Sequence, residues 1–314
     1  MSADAPATAG TPGTAAVVSG LVVVDKPAGW TSHDVVAKMR GLAGTKKVGH
    51  AGTLDPMATG VLLLGLNKAT RLLGHLSLAG KVYLATARFG ISTVTDDAEG
   101  ETITSLDAFD VTDDQIRTAA AGFVGAIEQV PSAVSAIKVD GQRAYARVRA
   151  GEDVTLAARP VTVTSLRVGE ITRSSVDERM VVDVDLTVEC SSGTYIRALA
   201  RDIGGVLGVG GHLTSLRRTA IGPFGIADAS TLPELEAAIE LPMLGITEVA
   251  DRLFDRLDLD ETGAADVRTG RRLVGLDVSK LPTRKPIAVF APDGTFLALY
   301  ERGSSVLRPV AVFV

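Results

Sequence analysis

One cysteine in 314 residues, Cys190, excludes an intrachain disulfide and a cysteine-built metal cluster, which suits a reducing cytoplasm. In an alternating apolar and polar run, that thiol reads as a small core residue before it reads as a nucleophile. Long apolar runs are missing as well. Nothing approaches the roughly 18 residues of a membrane-spanning helix, so no membrane partner is expected. Residues 1–19 are rich in Ala, Thr, Pro and Gly, with one Asp and no Lys or Arg. They lack the basic start and apolar middle of a secretory signal and read as a disordered tail. An excess of positive charge is also absent. The net charge of −5 argues against coating nucleic acid by bulk charge and leaves room for a local basic groove.

What is present is enough apolar residue, 46%, to fold one large core or two domains. Leu21–Val24 and Val61–Leu64 read as buried strands. Ser32 is a plausible N-cap for a short helix through Val35, Val36 and Met39, and Leu72, Leu73 and Leu76 mark another helix. Lys81 to Phe89 reads as a strand, Asp96 to Gly100 as an acidic turn, and Thr112 to Gln115 as a capping box opening a helix to about Gly122. Asp140-Gly141 signals a hairpin turn. Val182, Val184, Leu186 and Val188 alternate with Asp183, Asp185, Thr187 and Glu189, as in an antiparallel strand with one wet face. Beyond Gly193, the spacing of Ile196, Leu199, Ala200 and Ile203 predicts a helix to about Leu207. A further amphipathic helix is expected around 231–240. From about Leu257 the pattern changes to short strands with turns at Pro292-Asp293-Gly294 and Arg302-Gly303. Strands and helices do not alternate regularly, so the expected class is α+β with a mixed, largely antiparallel central sheet.

The segment Gly49 to Gly60 holds His50, Asp55 and three glycines without helical or strand periodicity, and it reads as a shaped loop held by the apolar strands on either side. Asp55 has the chemistry of a nucleophile, a general base or a metal ligand, or it merely opens a turn before Pro56. Arg197, one helical turn after Gly193, has the reach to pair bidentately with a loop carboxylate, or is a solvated helix arginine. Tyr83 offers a ring to stack on a planar base, or is a core tyrosine. His33, His50 and Asp55 match no defensible metal spacing, so no metal is expected. Basic residues gather at Lys46-Lys47, at Lys138 with Arg143, Arg147 and Arg149, at Arg217-Arg218, and at Arg268, Arg271 and Arg272. Together these clusters suit a groove that tracks phosphates.

Taken jointly, these segments resemble the TruB family of bacterial tRNA pseudouridine-55 synthases. Gly49 to Pro56 is similar to its catalytic loop, Lys81-Val82-Tyr83 to its tyrosine motif and Ser192 to Arg197 to its arginine motif. Val24 to Pro27, Ser135 to Lys138 and Leu216 to Arg218 match further motifs, in family order over about residues 20–225. Ala51 departs from the Thr that many members carry, and the leader before Gly20 has no counterpart.

The resemblance implies a pseudouridine synthase fold over 20–245 and a small β-rich PUA-like RNA-binding domain over 250–314, the latter resting mainly on Asp266 to Arg271. It implies Asp55 as nucleophile, Arg197 as its ion-pair partner and Tyr83 stacked on the target uracil. His50 would support the opened RNA loop, and Leu216 would line the pocket. Gly52, Thr53, Leu54, Asp97, Lys138, Tyr195 and Arg217 would complete the substrate site. The reaction needs no cofactor, and the implied partner is the T-arm of tRNA, met by a monomer in the cytoplasm. Two other classes remain open on the residues alone: a non-catalytic RNA-folding chaperone, and a hydrolase using two carboxylates, with Asp97 as the second.

Overall fold

The computed structural model describes residues 19–132, 156–277, 279, 281, 286–303 and 306–314, together with the backbone of 138–139 and 142–143. The strands in chain order are β1 (Gly20–Lys26), β2 (Val48–Ala51), β3 (Thr59–Leu66), β4 (Lys81–Phe89), β5 (Ile91–Thr93), β6 (Thr102–Ser105), β7 (Gly125–Gln129), β8 (Lys138–Val139), β9 (Gln142–Arg143), β10 (Arg159–Val176), β11 (Arg179–Cys190), β12 (Gly211–Ile221), β13 (Phe224–Gly225), β14 (Ser230–Thr231), β15 (Leu244–Gly245), β16 (Asp255–Asp258), β17 (Ile287–Phe290), β18 (Phe296–Arg302) and β19 (Leu307–Val312). The α-helices are α1 (Ser32–Leu42), α2 (Leu73–Leu78), α3 (Asp113–Ala121), α4 (Ile196–Val206), α5 (Leu232–Ala237), α6 (Ile246–Leu253) and α7 (Glu261–Arg268).

The main sheet runs β14-β1-β3-β12-β4-β11-β10-β7, with β2, β13 and β15 attached beside it. Its pairs are antiparallel except β1–β14 and β3–β12, so the mixed, largely antiparallel sheet expected from sequence is the one observed. The parallel β3–β12 contact joins the two halves of the sheet through Arg217↔Thr59 and Arg218↔Gly60. On one half, α4 buries Leu199, Ala200 and Ile203 against Ala85, Phe89, Val184 and Leu186. On the other half β1 is covered twice. Val22 and Val24 pack on Val35 and Met39 of α1, while Leu21 and Val23 share a core with Ala288, Phe290 and Phe296 of the small C-terminal sheet, ordered β16-β17-β18-β19. A strand buried on both faces needs apolar residues without alternation, which is why Leu21–Val24 is a run.

Several local expectations change. The N-cap of α1 is Thr31, not Ser32: its hydroxyl accepts from the Asp34 amide, and the Asp34 carboxylate accepts from the Thr31 amide. Ser32 is buried instead, exchanging hydrogen bonds with the Leu54 amide and carbonyl. The segment 49–60 is not loop throughout, because Gly49, His50 and Ala51 pair with Gly65, Leu64 and Leu63 as part of β2. The C-terminal unit contains a helix, α7, where only strands were expected. The 18-residue strand β10 is a surprise in length, since register shifts at Val163/Ser165 and Val168/Ile171 break its alternation. No described helix is long and apolar enough to cross a membrane.

Candidate active site

Three elements converge where β3 and β12 run parallel. The β2–β3 connection carries Gly52 to Pro56, with Gly52 at φ +83° and Gly60 at φ +98°, both left-handed values that glycine tolerates. The start of β4 carries Lys81 and Tyr83. The turn from β11 into α4 carries Gly193 to Arg197. Cys190 pairs with Lys81 across the β11–β4 ladder, so the end of β11 and the start of β4 lie at the same edge of the cavity. Cys190 itself is buried, and burial pushes its thiol up, in keeping with a core role.

Together these segments enclose a cavity of about 280 Å³ lined by Gly52, Thr53, Leu54, Asp55, Tyr83, Tyr195, Arg197, Leu216 and Arg218, among others. Asp55 reaches the guanidinium of Arg197, with Oδ2 3.0 Å from Nε. The Asp55 side chain is 37% exposed and that of Arg197 only 4%, so the carboxylate faces the opening over a buried cation. The bidentate pair suggested by spacing is not what forms. Arg197 divides itself, with Nη1 3.3 Å from Asp97 Oδ2 and donating to the Thr95 carbonyl at 2.7 Å. Asp97 is buried behind Arg197, where it also accepts from Thr95 and from the Glu99 amide.

Tyr83 is buried, and desolvation pushes its phenol up while the charge of Arg218 acts the other way. Lys81 turns its ammonium onto the carbonyls of Ser77 (2.9 Å) and Ala79 (2.8 Å), and burial lowers its pKa to about 8. Tyr195 is held by Gln129, whose side-chain oxygen accepts from the Tyr195 amide and whose nitrogen donates to the Tyr195 carbonyl.

Three expected substrate residues, His50, Asp97 and Arg217, lie outside the cavity lining. His50 sits in β2, outside the cavity lining, edge-on to His33 with ring centroids 5.5 Å apart. Burial first, and His33 second, hold its imidazole below the usual range. Arg217 projects away from the cavity and binds Asp25 with two nitrogens at 3.0 and 2.7 Å. Of the Arg217-Arg218 pair, one is bound to a carboxylate and the other is buried. The side chain of Lys138, with Ser135 to Ile137, Arg147 and Arg149, lies outside the described residues. Lys26 and Arg218 were not singled out as site-building residues, because a basic residue carries no sign of burial in its sequence. Lys26 is fully buried and donates to the carbonyls of Pro27, Trp30 and Pro56, gripping the chain just after Asp55. No group of three metal-ligating side chains occurs among the described residues.

Residues 40–196 match the model of the TruB family pseudouridylate synthase N-terminal domain. Residues 197–253 match a tRNA pseudouridylate synthase B C-terminal domain, and 254–314 match tRNA pseudouridine synthase II, C terminal. A tRNA pseudouridine synthase B from Paenarthrobacter aurescens (strain TC1) is 55% identical over 301 residues, covering 95% of this chain and 96% of that one. Another from Streptomyces griseus is 55% identical over 295 residues, covering 94% and 97%. A chain in a crystal structure of a Cbf5-Nop10-Gar1 complex superimposes with a TM-score of 0.68 at 26% identity, covering 94% of this chain and 84% of that one. The similarity is thus continuous through the Asp55 loop, β4, the Arg197 turn and the C-terminal sheet, and the chain belongs to the TruB family of pseudouridylate synthases.

Proposed function

We propose that this pseudouridine synthase isomerises the T-loop uridine at position 55 of tRNA, acting as an intramolecular transferase with Asp55 as its reactive group. The observation that carries the reading is the Asp55 carboxylate, facing a cavity with a ring on one side and a buried guanidinium beneath it. Isomerisation breaks the N1–C1′ bond, turns the uracil and joins C5 to C1′. It consumes no external reductant, nucleotide or metal. An ionised carboxylate at this place serves attack on C1′, deprotonation at C2′ toward a glycal, or attack on C6 of the base. Arg197 aims the Asp55 carboxylate. Tyr83 and Leu216 hold the uracil after it leaves the stack, a step costing a few kcal/mol. His50, in β2 beside His33, supports the opened RNA loop, and the shape of the T-arm sets specificity.

Residues 20–245 form the catalytic domain in this reading and 250–314 a PUA-like RNA-binding domain. The protein works as a cytoplasmic monomer on its RNA. The chaperone alternative has no observation in its favour, because it assigns nothing to the Asp55–Arg197–Asp97 arrangement. The test is incubation with an unmodified tRNA T-arm, without metal or nucleotide, followed by chemical mapping of pseudouridine. The expected result is one product at the T-loop uridine. Asp55→Asn should lower the rate at least roughly a thousandfold while leaving RNA affinity within a few-fold. Full activity in Asp55→Asn overturns the assignment, and release of free uracil replaces isomerisation with hydrolysis.

A further inference from the structure

Among the described residues Arg218 is the largest fully buried side chain, and it has no carboxylate partner there. A buried cation so placed is costly unless its donors are met by well-aimed acceptors. Here they are met by the catalytic loop. Nε donates to the Val61 carbonyl at 2.8 Å, Nη2 to the Gly52 carbonyl at 2.9 Å and Nη1 to the Thr53 carbonyl at 3.4 Å. Gly52 and Thr53 begin the loop that carries Asp55, and Val61 lies just beyond its end. One planar group therefore ties both stems together. Arg218 is also the cross-strand partner of Tyr83 in the β12–β4 ladder, both line the same cavity, and the charge of the guanidinium acts on the phenol.

We propose that Arg218 is a positioning residue of the isomerisation: its guanidinium fixes the two stems of the Asp55 loop and the Tyr83 phenol in one rigid frame. The proposal rests on Asp55 and Tyr83 acting on the base. The charge of Arg218 bears on the phenol that meets the uracil. Lysine cannot replace this arrangement, because an ammonium lacks the planar fork that spans the three carbonyls of the two loop stems. The charge at the site also follows from it, since Arg218 contributes to the lowered pKa of Lys81, Lys26 and His50.

The decisive measurement is a double-mutant cycle on single-turnover rates at saturating T-arm RNA. Arg218→Lys should keep RNA affinity within about threefold and lose about a hundredfold in rate, the scale expected of a displacement near 1 Å at a reacting group. In a Tyr83→Phe background the same substitution should cost at least tenfold less, because part of what the guanidinium positions is gone. An unchanged rate in Arg218→Lys, or an equal loss in both backgrounds, overturns the proposal, since a purely structural role would be indifferent to the Tyr83 hydroxyl. Should a variant be too unstable or too slow to assay, a crystal structure of the unsubstituted protein decides. A guanidinium nitrogen within 3.5 Å of the phenol oxygen and of the Gly52 and Val61 carbonyls supports the frame, and longer separations overturn it. Full activity in Asp55→Asn would instead remove the catalytic reading on which the proposal stands.

Discussion

At the scale of single residues the site is governed by one cation serving two carboxylates. Arg197 separates an accessible carboxylate, Asp55, from a buried one, Asp97, whose side chain is 6% exposed. Removing the cation leaves Asp97 buried and uncompensated, a situation that costs about 3–5 kcal/mol. Arg197→Met should therefore unfold at lower urea by about that free energy, whereas Asp55→Asn, which leaves the Arg197–Asp97 contact in place, should melt close to the parent. Equal stability of the two variants would show that Asp97 is not held by Arg197. Lys81 supplies a second residue-scale test. Its pKa is lowered to about 8 in the folded chain, chiefly by burial, against 10.5 ordinarily. Between these values the unfolded chain holds a proton that the folded chain has released, so stability gains a contribution as pH rises from about 8, and none below it. Lys26 contributes in the same sense, and Tyr83, raised by burial, opposes only above the ordinary phenol range. The pH dependence of urea unfolding between 7.5 and 9.5 should accordingly be flatter in Lys81→Met than in the parent; an identical slope would return Lys81 to an ordinary pKa.

At the scale of elements, the contact that matters is β3 against β12. Gly60 pairs with Arg218 there, and a Cβ at Gly60 would lie 2.1 Å from the Arg218 carbonyl oxygen, at a φ of +98°. Gly60→Ala should then cost at least about 3 kcal/mol and lower the single-turnover rate, because the strand bearing Arg218 must withdraw from the loop it holds. A stable, fully active Gly60→Ala would mean that β3 and β12 tolerate separation. Much at this scale was legible from local pattern. Lys81 to Phe89 is the strand β4 as read, and Ile196, Leu199, Ala200 and Ile203 all face the core from α4. Thr112 and Gln115 form their capping box. What pattern could not carry was set by contacts distant in sequence. β2 exists because β3 covers Gly49 and His50, not because those residues favour a strand. Bulges hid the length of β10. Arg217 and Arg218 are adjacent in sequence, yet alternation sends one to Asp25 and the other under the catalytic loop.

At the scale of the whole molecule, β1 is the wall shared by the catalytic half and the C-terminal sheet. The two are further tied where Lys68 donates to the Phe313 carbonyl at 2.8 Å and Arg71 lies over the Phe313 ring. With a net charge of −5, affinity for a polyanion has to come from local clusters, and among the described residues two such clusters are exposed: Lys46-Lys47 and Arg268, Arg271 and Arg272. Arg271 is engaged by Asp266 at 3.1 Å, but Arg268 and Arg272 project from the end of α7 and the segment after it. If the C-terminal unit grips the RNA while the Asp55 cavity performs the chemistry, replacing both with Ala should divide binding from catalysis. T-arm affinity should fall, and the slope of log K against log salt should become less negative by about one to two, near one for each phosphate that is no longer neutralised. The single-turnover rate at saturating RNA should stay within about twofold of the parent, because nothing at the cavity has moved. An unaltered salt slope would take this surface off the RNA path and leave Lys46, Lys47 and the 138–149 segment to carry the backbone contacts.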